Sequence, residues 1–177
     1  MKQDSQVHVC EFKYEVEASL WGVTNPTISR TLSLRHTATF EELHEALHIA
    51  FCWRPTTKYY FGMGKVLISS AEQLVAVSMN EDEKARFDKF QDASKTYIAE
   101  AMKNRRFDRR ILGYSYVTSS EIVHYLRIRA IPLSQSRSGY LPDVRCVRGI
   151  GHPFAQGFDL KGWMDLKDAY KKERPNS

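Results

Sequence analysis

Long apolar runs are missing from this chain. The longest span only a few residues, such as Leu74–Val77, and none could cross a bilayer. No membrane contact is therefore expected. Cysteine is scarce: Cys10, Cys52 and Cys146 are odd in number and far apart, with no C-x-x-C pair. That argues against a disulfide framework or a structural zinc site, and for a reducing compartment. Met1–Ser5 is polar and no apolar segment follows it, so the reading is cytoplasmic, without a secretory signal. No serine or cysteine stands in a nucleophile motif. Internal repeats, linkers and low-complexity tracts are also lacking.

What is present suits one domain over residues 1–177, with a disordered tail over about 171–177. Apolar residues make up 42%, ordinary for a globular chain. The net charge is +5. Much of it sits in Lys103–Arg110 and in Lys171, Lys172 and Arg174. Arg105, Arg106, Arg109 and Arg110, with Phe107 among them, combine charge and stacking as nucleic-acid backbones require. The plainer reading is a solvated loop.

Phe12, Tyr14, Val16, Ala18 and Leu20 alternate with polar residues, the period of a strand with one wet face. Gly22–Pro26 reads as a turn, and Ile28, Leu32 and Leu34, with Arg30 on their face, mark a second strand. Thr39 and Glu42 form a capping box that opens the clearest helix. Its stripe is Phe40, Leu43, Leu47, Ala50 and Phe51. Lys58–Phe61 reads as a strand, Gly62–Gly64 as a turn and Lys65–Ile68 as extended. Leu74–Val77 fits a strand or a helix. Asn80 caps a long amphipathic helix of roughly twenty residues carrying Phe87, Phe90, Tyr97, Ile98, Ala101 and Met102. Strands follow at Tyr114 and Tyr116, at Ile122, His124, Leu126, Ile128 and Ala130, and at Val144, Cys146 and Ile150. Leu133–Tyr140 and Gly149–Pro153 read as loops, and Gly162–Tyr170 as a short terminal helix. The class is α+β: one domain, a mainly antiparallel sheet with two or three helices packed on it.

Several stretches resemble the plasmid pRiA4b ORF-3-like family. They are Pro26-Thr27-Ile28-Ser29-Arg30, Phe40-Glu41-Glu42-Leu43-His44-Glu45-Ala46-Leu47, Phe51-Cys52-Trp53 and Phe61. The family reads P-x-I-W-R-R, L-x-x-L-H-E-V-I-Q and F-G-W at these places. Tyr116 and His124 fall at the ends of its Y-D-F-G-D-x-W-x-H signature. Gly149-Ile150-Gly151 and Gly162-Trp163-Met164-Asp165-Leu166 match its later glycine-rich and G-W-x-x-L segments. Order and spacing hold from about Val7 to Tyr170, with details closest to fungal members. The resemblance implies a compact α+β fold and attaches no chemistry. The departures fall on polar positions: Ser29 replaces a tryptophan, Thr57 a histidine, Val117–Ser120 the acidic D-F-G-D, and Gln156-Gly157 an E-D pair. The framework is kept while the acidic signature is lost, which points either to decay or to a pocket turned to a less polar ligand; the aromatic and histidine residues that stay favour the second.

Three motifs carry candidate chemistry. His44-Glu45-Ala46-Leu47-His48 matches H-E-x-x-H, the zinc-hydrolase spacing that puts two imidazoles on one helix face. Glu42 is already used in the cap, however, and the resembling pattern has glutamine at His48. Gly149-Ile150-Gly151 lacks the third glycine of a phosphate loop and reads as a turn. His124, His152 and Tyr116 are the candidate catalytic residues, with Trp53, Tyr60 and Arg30 binding substrate. Together they describe an aromatic pocket with a few polar atoms. The leading expectation is a cofactor-independent cyclase, isomerase or lyase acting on a small hydrophobic molecule by His/Tyr acid–base chemistry, with no cofactor and no metal. The alternatives are a nucleic-acid-associated module and a zinc hydrolase. If His124 is only a core histidine, its ring will be hydrogen-bonded.

Overall fold

The structure is a computed structural model that describes residues 12–24, 27–53, 56, 58–103, 112–117, 121–133 and 144–151. His152, Arg105–Arg110, Gly162–Tyr170 and residues 171–177 all lie outside the described residues.

The alternating segment becomes β1 (Phe12–Thr24), paired antiparallel with β2 (Thr27–Arg35). Strand β1 continues past Gly22, whose φ of 76° marks an irregularity rather than an end. The pairing register slips between Ser19 and Thr24, so the strand absorbs the glycine as a bulge. Helix α1 (Phe40–Ala50) opens with the expected box: the Glu42 amide donates to Thr39 Oγ1 and the Thr39 amide to Glu42. Two further amides at its start, on Phe40 and Glu41, donate to the carbonyls of Thr96 and Ala93.

β3 (Tyr59–Met63) and β4 (Val66–Ser69) form a hairpin. Gly62 and Met63 belong to β3, so the turn is Gly64-Lys65 and not Gly62–Gly64. Leu74–Val77 lies in helix α2 (Ala71–Ser78), capped by Ser70.

The long helix expected after Asn80 does not form. Asn80 does cap a helix, α3, but this ends at Arg86. Phe87 is extended, with φ −124° and ψ 134°. The Asp88 and Lys89 amides both turn to the carbonyl of Lys65. β5 (Lys89–Asp92) then adds in parallel to β4, and Asp92 closes a turn by accepting from the amide and hydroxyl of Ser94. Of the expected helix, only the first part, α3 (Glu81–Arg86), and the last part, α4 (Ile98–Lys103), are helical. A non-local ladder thus outcompetes local helix spacing.

β6 (Leu112–Val117), β7 (Glu121–Pro132) and β8 (Val144–Ile150) complete one eight-stranded sheet, ordered β5-β4-β3-β6-β7-β1-β2-β8. Gly149 and Ile150 are part of β8, not of a loop. Apart from the β4–β5 pair, the strand pairs are antiparallel. The architecture is mixed α+β but dominated by its sheet. It carries four short helices among the described residues, rather than two or three.

Strand alternation divides the apolar residues between two faces. Phe40, Leu43 and Leu47 of α1 join Val16, Ala18, Leu32, Phe61, Ile68, Tyr114 and Leu126 in the main core. Leu67, Val77 and Phe87 form a smaller cluster with Tyr60, Leu74 and Phe90 packed against it. Strand register places Ile68, Phe61, Tyr114, His124 and Leu20 side by side in one row across five strands. His124 therefore lies mid-sheet, in a row otherwise lacking charge.

Candidate functional site

The site is set by how α1 ends. Phe51 caps the helix, and Cys52 takes the left-handed conformation, φ 56°. The Cys52 amide donates to Ile49 and the Trp53 amide to His48, at 3.0 and 2.7 Å. This reversal uses the last helical carbonyls and turns the chain back on the core, a job usually given to glycine. Phe51 and Trp53 then stack, with centroids 4.8 Å apart and planes 16° apart. Trp53 also stacks on Tyr116 at 4.5 Å.

His124 completes the group. Its ring lies 4.9 Å from Trp53, 5.0 Å from Phe51 and 5.7 Å from Tyr114. It is fully buried, and neither Nδ1 nor Nε2 has a hydrogen-bond partner. Nε1 of Trp53 is likewise buried and unpartnered. Burial pushes the His124 pKa down to about 3, while the backbone of Tyr114 and Ile122, within electrostatic reach but not in hydrogen-bond geometry, raises it. The imidazole is neutral at ordinary pH, with one donor and one acceptor nitrogen.

Arg30 is close to this group but already engaged. Its Nε donates to Ala50 O at 2.9 Å, and its terminal nitrogens donate to the carbonyls of Ser29, Ile150 and Gly151. The guanidinium also sits over Phe51, 5.3 Å from the ring centre. It ties the end of α1 to the end of β8. This explains the glycine pair: a Cβ on Gly149 would lie 3.2 Å from Nη1 of Arg30, and Gly151 has φ +72° against Ile28 and Thr27.

Tyr60 does not join. Its neighbours Tyr59 and Phe61 face the main core, so Tyr60 faces the α2 cluster. There its hydroxyl donates to Glu121, which also accepts from Ser115 Oγ at 2.6 Å. Burial first, then this carboxylate, pushes the Tyr60 phenol up to about 12.

The H-E-x-x-H pair has a different role from the zinc-hydrolase one. His44 is buried against Tyr59, its ring stacked at 3.6 Å. Nε2 lies 3.0 Å from the Thr56 carbonyl, which can only accept, so Nε2 carries the hydrogen. Nδ1 then accepts from the Tyr114 hydroxyl at 2.9 Å. Both nitrogens are occupied, and a metal would have to displace one of these partners. Burial, then the neighbouring His48, lowers the His44 pKa to about 4, partly offset by Thr56. Among the described residues no three His, Cys, Asp or Glu side chains cluster as a metal site.

The arrangement thus brings together Trp53, Tyr116 and His124, with Arg30 alongside, and separates Tyr60. Phe51 and Tyr114 are not among the site residues expected from sequence, and His44 is among them only as a zinc ligand of the H-E-x-x-H alternative. Their spacing carried a hint only for Phe51, through the helix-end stripe.

The family model described as Plasmid pRiA4b ORF-3-like protein matches residues 13–175. No curated protein matches the sequence significantly. Among solved structures, the chain is similar to a protein of unknown function, MM3350, from Methanosarcina mazei Go1. The TM-score is 0.68 at 16% identity, covering 94% of this chain and 85% of that one. That likeness concerns the fold alone.

Proposed function

We propose that this chain, which belongs to the plasmid pRiA4b ORF-3-like family, takes a small hydrophobic molecule into the aromatic group around His124 and acts on it as a cofactor-independent cyclase, isomerase or lyase. The observation that carries this reading is the set of unpartnered buried nitrogens on His124 and Trp53. Leaving a buried polar group unsatisfied costs about 1–3 kcal/mol. Native cores keep few such groups, and a catalytic or binding role is one reason for keeping them.

The ligand chemistry follows from the donors and acceptors. Trp53 Nε1–H and the protonated nitrogen of His124 donate, and the other nitrogen of His124 accepts. A carbonyl or hydroxyl oxygen on an otherwise apolar frame matches them. With its pKa near 3, His124 is a weak base for a resting substrate. It serves first as a neutral hydrogen-bond partner. Negative charge developing on a bound oxygen raises its proton affinity, and proton transfer then becomes favourable. Tyr116, stacked on Trp53, supplies the phenol of the proposed His/Tyr pair. Arg30 acts as a clamp on the wall formed by Phe51 rather than by touching substrate.

The test is a panel of hydrophobic ketones, enols and alcohols, read by isothermal titration calorimetry of the unaltered chain and of Trp53→Phe, and by product analysis. Binding that is lost in Trp53→Phe, with turnover lost in His124→Ala, is the expected result. Unchanged turnover in His124→Ala, or no binding across the panel, overturns the reading.

A further inference from the structure

The strands that carry His124 inward carry a different set outward. On β7, Tyr125, Arg127 and Arg129 alternate with His124, Leu126 and Ile128. Register then defines two rows across four strands: Arg129, Glu15, Ser33 and Arg145, and Arg127, Glu17, Thr31 and Arg148. Each row has arginine at both ends and a hydroxyl and a carboxylate between. Lys13 extends β1 on the same face, and Ser19 pairs with Tyr125. Arg127, Arg129, Arg145 and Arg148 are exposed, as are Tyr125 at 42% and, by strand alternation on this side, Trp21 at 54%.

We infer that this outer face binds single-stranded nucleic acid. At about 4.8 Å per strand and 3.4 Å per residue, the arginine pairs on β7 and β8 stand roughly 14 Å apart, with roughly 7 Å or a little more within each pair. They make two basic rails on which phosphates can lie. Of the carboxylates between them, Glu17 lies 3.6 Å from Arg127. Among the described residues Arg129, Arg145 and Arg148 have no carboxylate within 4.0 Å. Glu15 and Glu17 repel a phosphate directly above them, yet they can accept from the exocyclic amines of bases lying across the sheet. Tyr125 and Trp21 offer rings on which unpaired bases stack, and that pairing of a basic track with aromatics is how single strands are held without sequence preference. Among the described residues no helix projects from this face toward a duplex groove. The surface is separate from the His124 group, and its partner differs in class.

The experiment uses the full chain with fluorescently labelled mixed-sequence 20-mers, single-stranded and duplex, followed by anisotropy between 50 and 300 mM KCl. Arg127→Gln with Arg129→Gln, and separately Arg145→Gln with Arg148→Gln, are each expected to weaken single-strand binding about tenfold. Each double variant should also flatten the log–log salt slope by roughly 0.7 per lost phosphate contact. Tyr125→Ala is expected to weaken binding with the slope unchanged. A Lys84→Gln/Arg86→Gln control on α3 should leave it untouched. Circular dichroism verifies that each variant folds. The inference is overturned by no single-strand binding at 50 mM KCl, by equal affinity for duplex, or by binding unaffected in both arginine doubles.

Discussion

The phenol of Tyr114 gives its hydrogen to Nδ1 of His44 across 2.9 Å, and both groups lie inside the main core. The bond joins α1 to β6 beneath the aromatic group, and Tyr114 in turn packs 5.7 Å from His124. Tyr114→Phe keeps the ring and orphans the His44 acceptor. It should cost about 1–2 kcal/mol, read as a shift in the denaturant midpoint at constant slope. No shift would mean that the bond carries no net stability.

The two core histidines make stability depend on acid. Their folded pKa values, about 4 for His44 and about 3 for His124, lie below the ordinary value of 6.5. The unfolded chain therefore binds more protons than the native one as pH falls through 6.5 toward 4. Stability contributed by the neutral rings is complete above the unfolded value and declines below it, by up to about 1.4 kcal/mol per pH unit for each histidine. Denaturation midpoints from pH 7.5 to 4.5 should fall steadily, and His124→Leu should remove about half of the slope. A flat profile would contradict the neutral, buried assignment.

At neutral pH, His124→Leu should leave stability unchanged or raise it by about 1–2 kcal/mol. It replaces two unpaired nitrogens with apolar atoms of similar volume. Ligand turnover should vanish in the same protein. Stability gained together with activity lost marks a residue kept for chemistry. A loss of several kcal/mol would instead mark His124 as structural.

Cys52 occupies a left-handed position that glycine fills at lower cost. Its side chain is exposed, so little packing is given up. Cys52→Gly should stabilise the fold by about 1 kcal/mol, measured by thermal or urea unfolding, and Cys52→Val should destabilise it. The family's F-G-W pattern has glycine here, which the backbone geometry accounts for.

Gly149 lets Arg30 pass. The guanidinium is fixed by four carbonyls, so it cannot move aside for a Cβ placed 3.2 Å from Nη1. Gly149→Ala should cost about 1–2 kcal/mol. Arg30→Lys should cost more, because a single ammonium cannot serve Ala50 and Gly151 together.

The parts of the molecule that could be read in advance are those governed by nearby chemistry. The Thr39 box needs only its own turn, and β1, β2 and β7 alternate strongly enough to reveal their buried sides. The Asn80 helix was overextended because Phe87 and Phe90 sit three apart, a spacing that suits a helix. The deciding partner, the Lys65 carbonyl, is remote in sequence. Tyr59-Tyr60-Phe61 has no polar residue to show which ring turns inward, so Tyr60 was assigned to the wrong side. The grouping of Trp53, Tyr116 and His124 follows from reading them, with Tyr60 and His152, as one aromatic pocket; the structure brings the first three together and separates Tyr60. The roles of His44 and Arg30 were not, because their partners are backbone carbonyls and a distant phenol.

The interior strand β1 finds one neighbour at once in β2, while the other, β7, is supplied from far along the chain, with Leu20 opposite His124. A nascent polypeptide leaving the ribosome can form the first hairpin and the Thr39 helix early. It must keep one flank of that hairpin uncovered until Pro132 has emerged. Synthesis that stalls before this point should leave a sticky half-sheet that depends on chaperones.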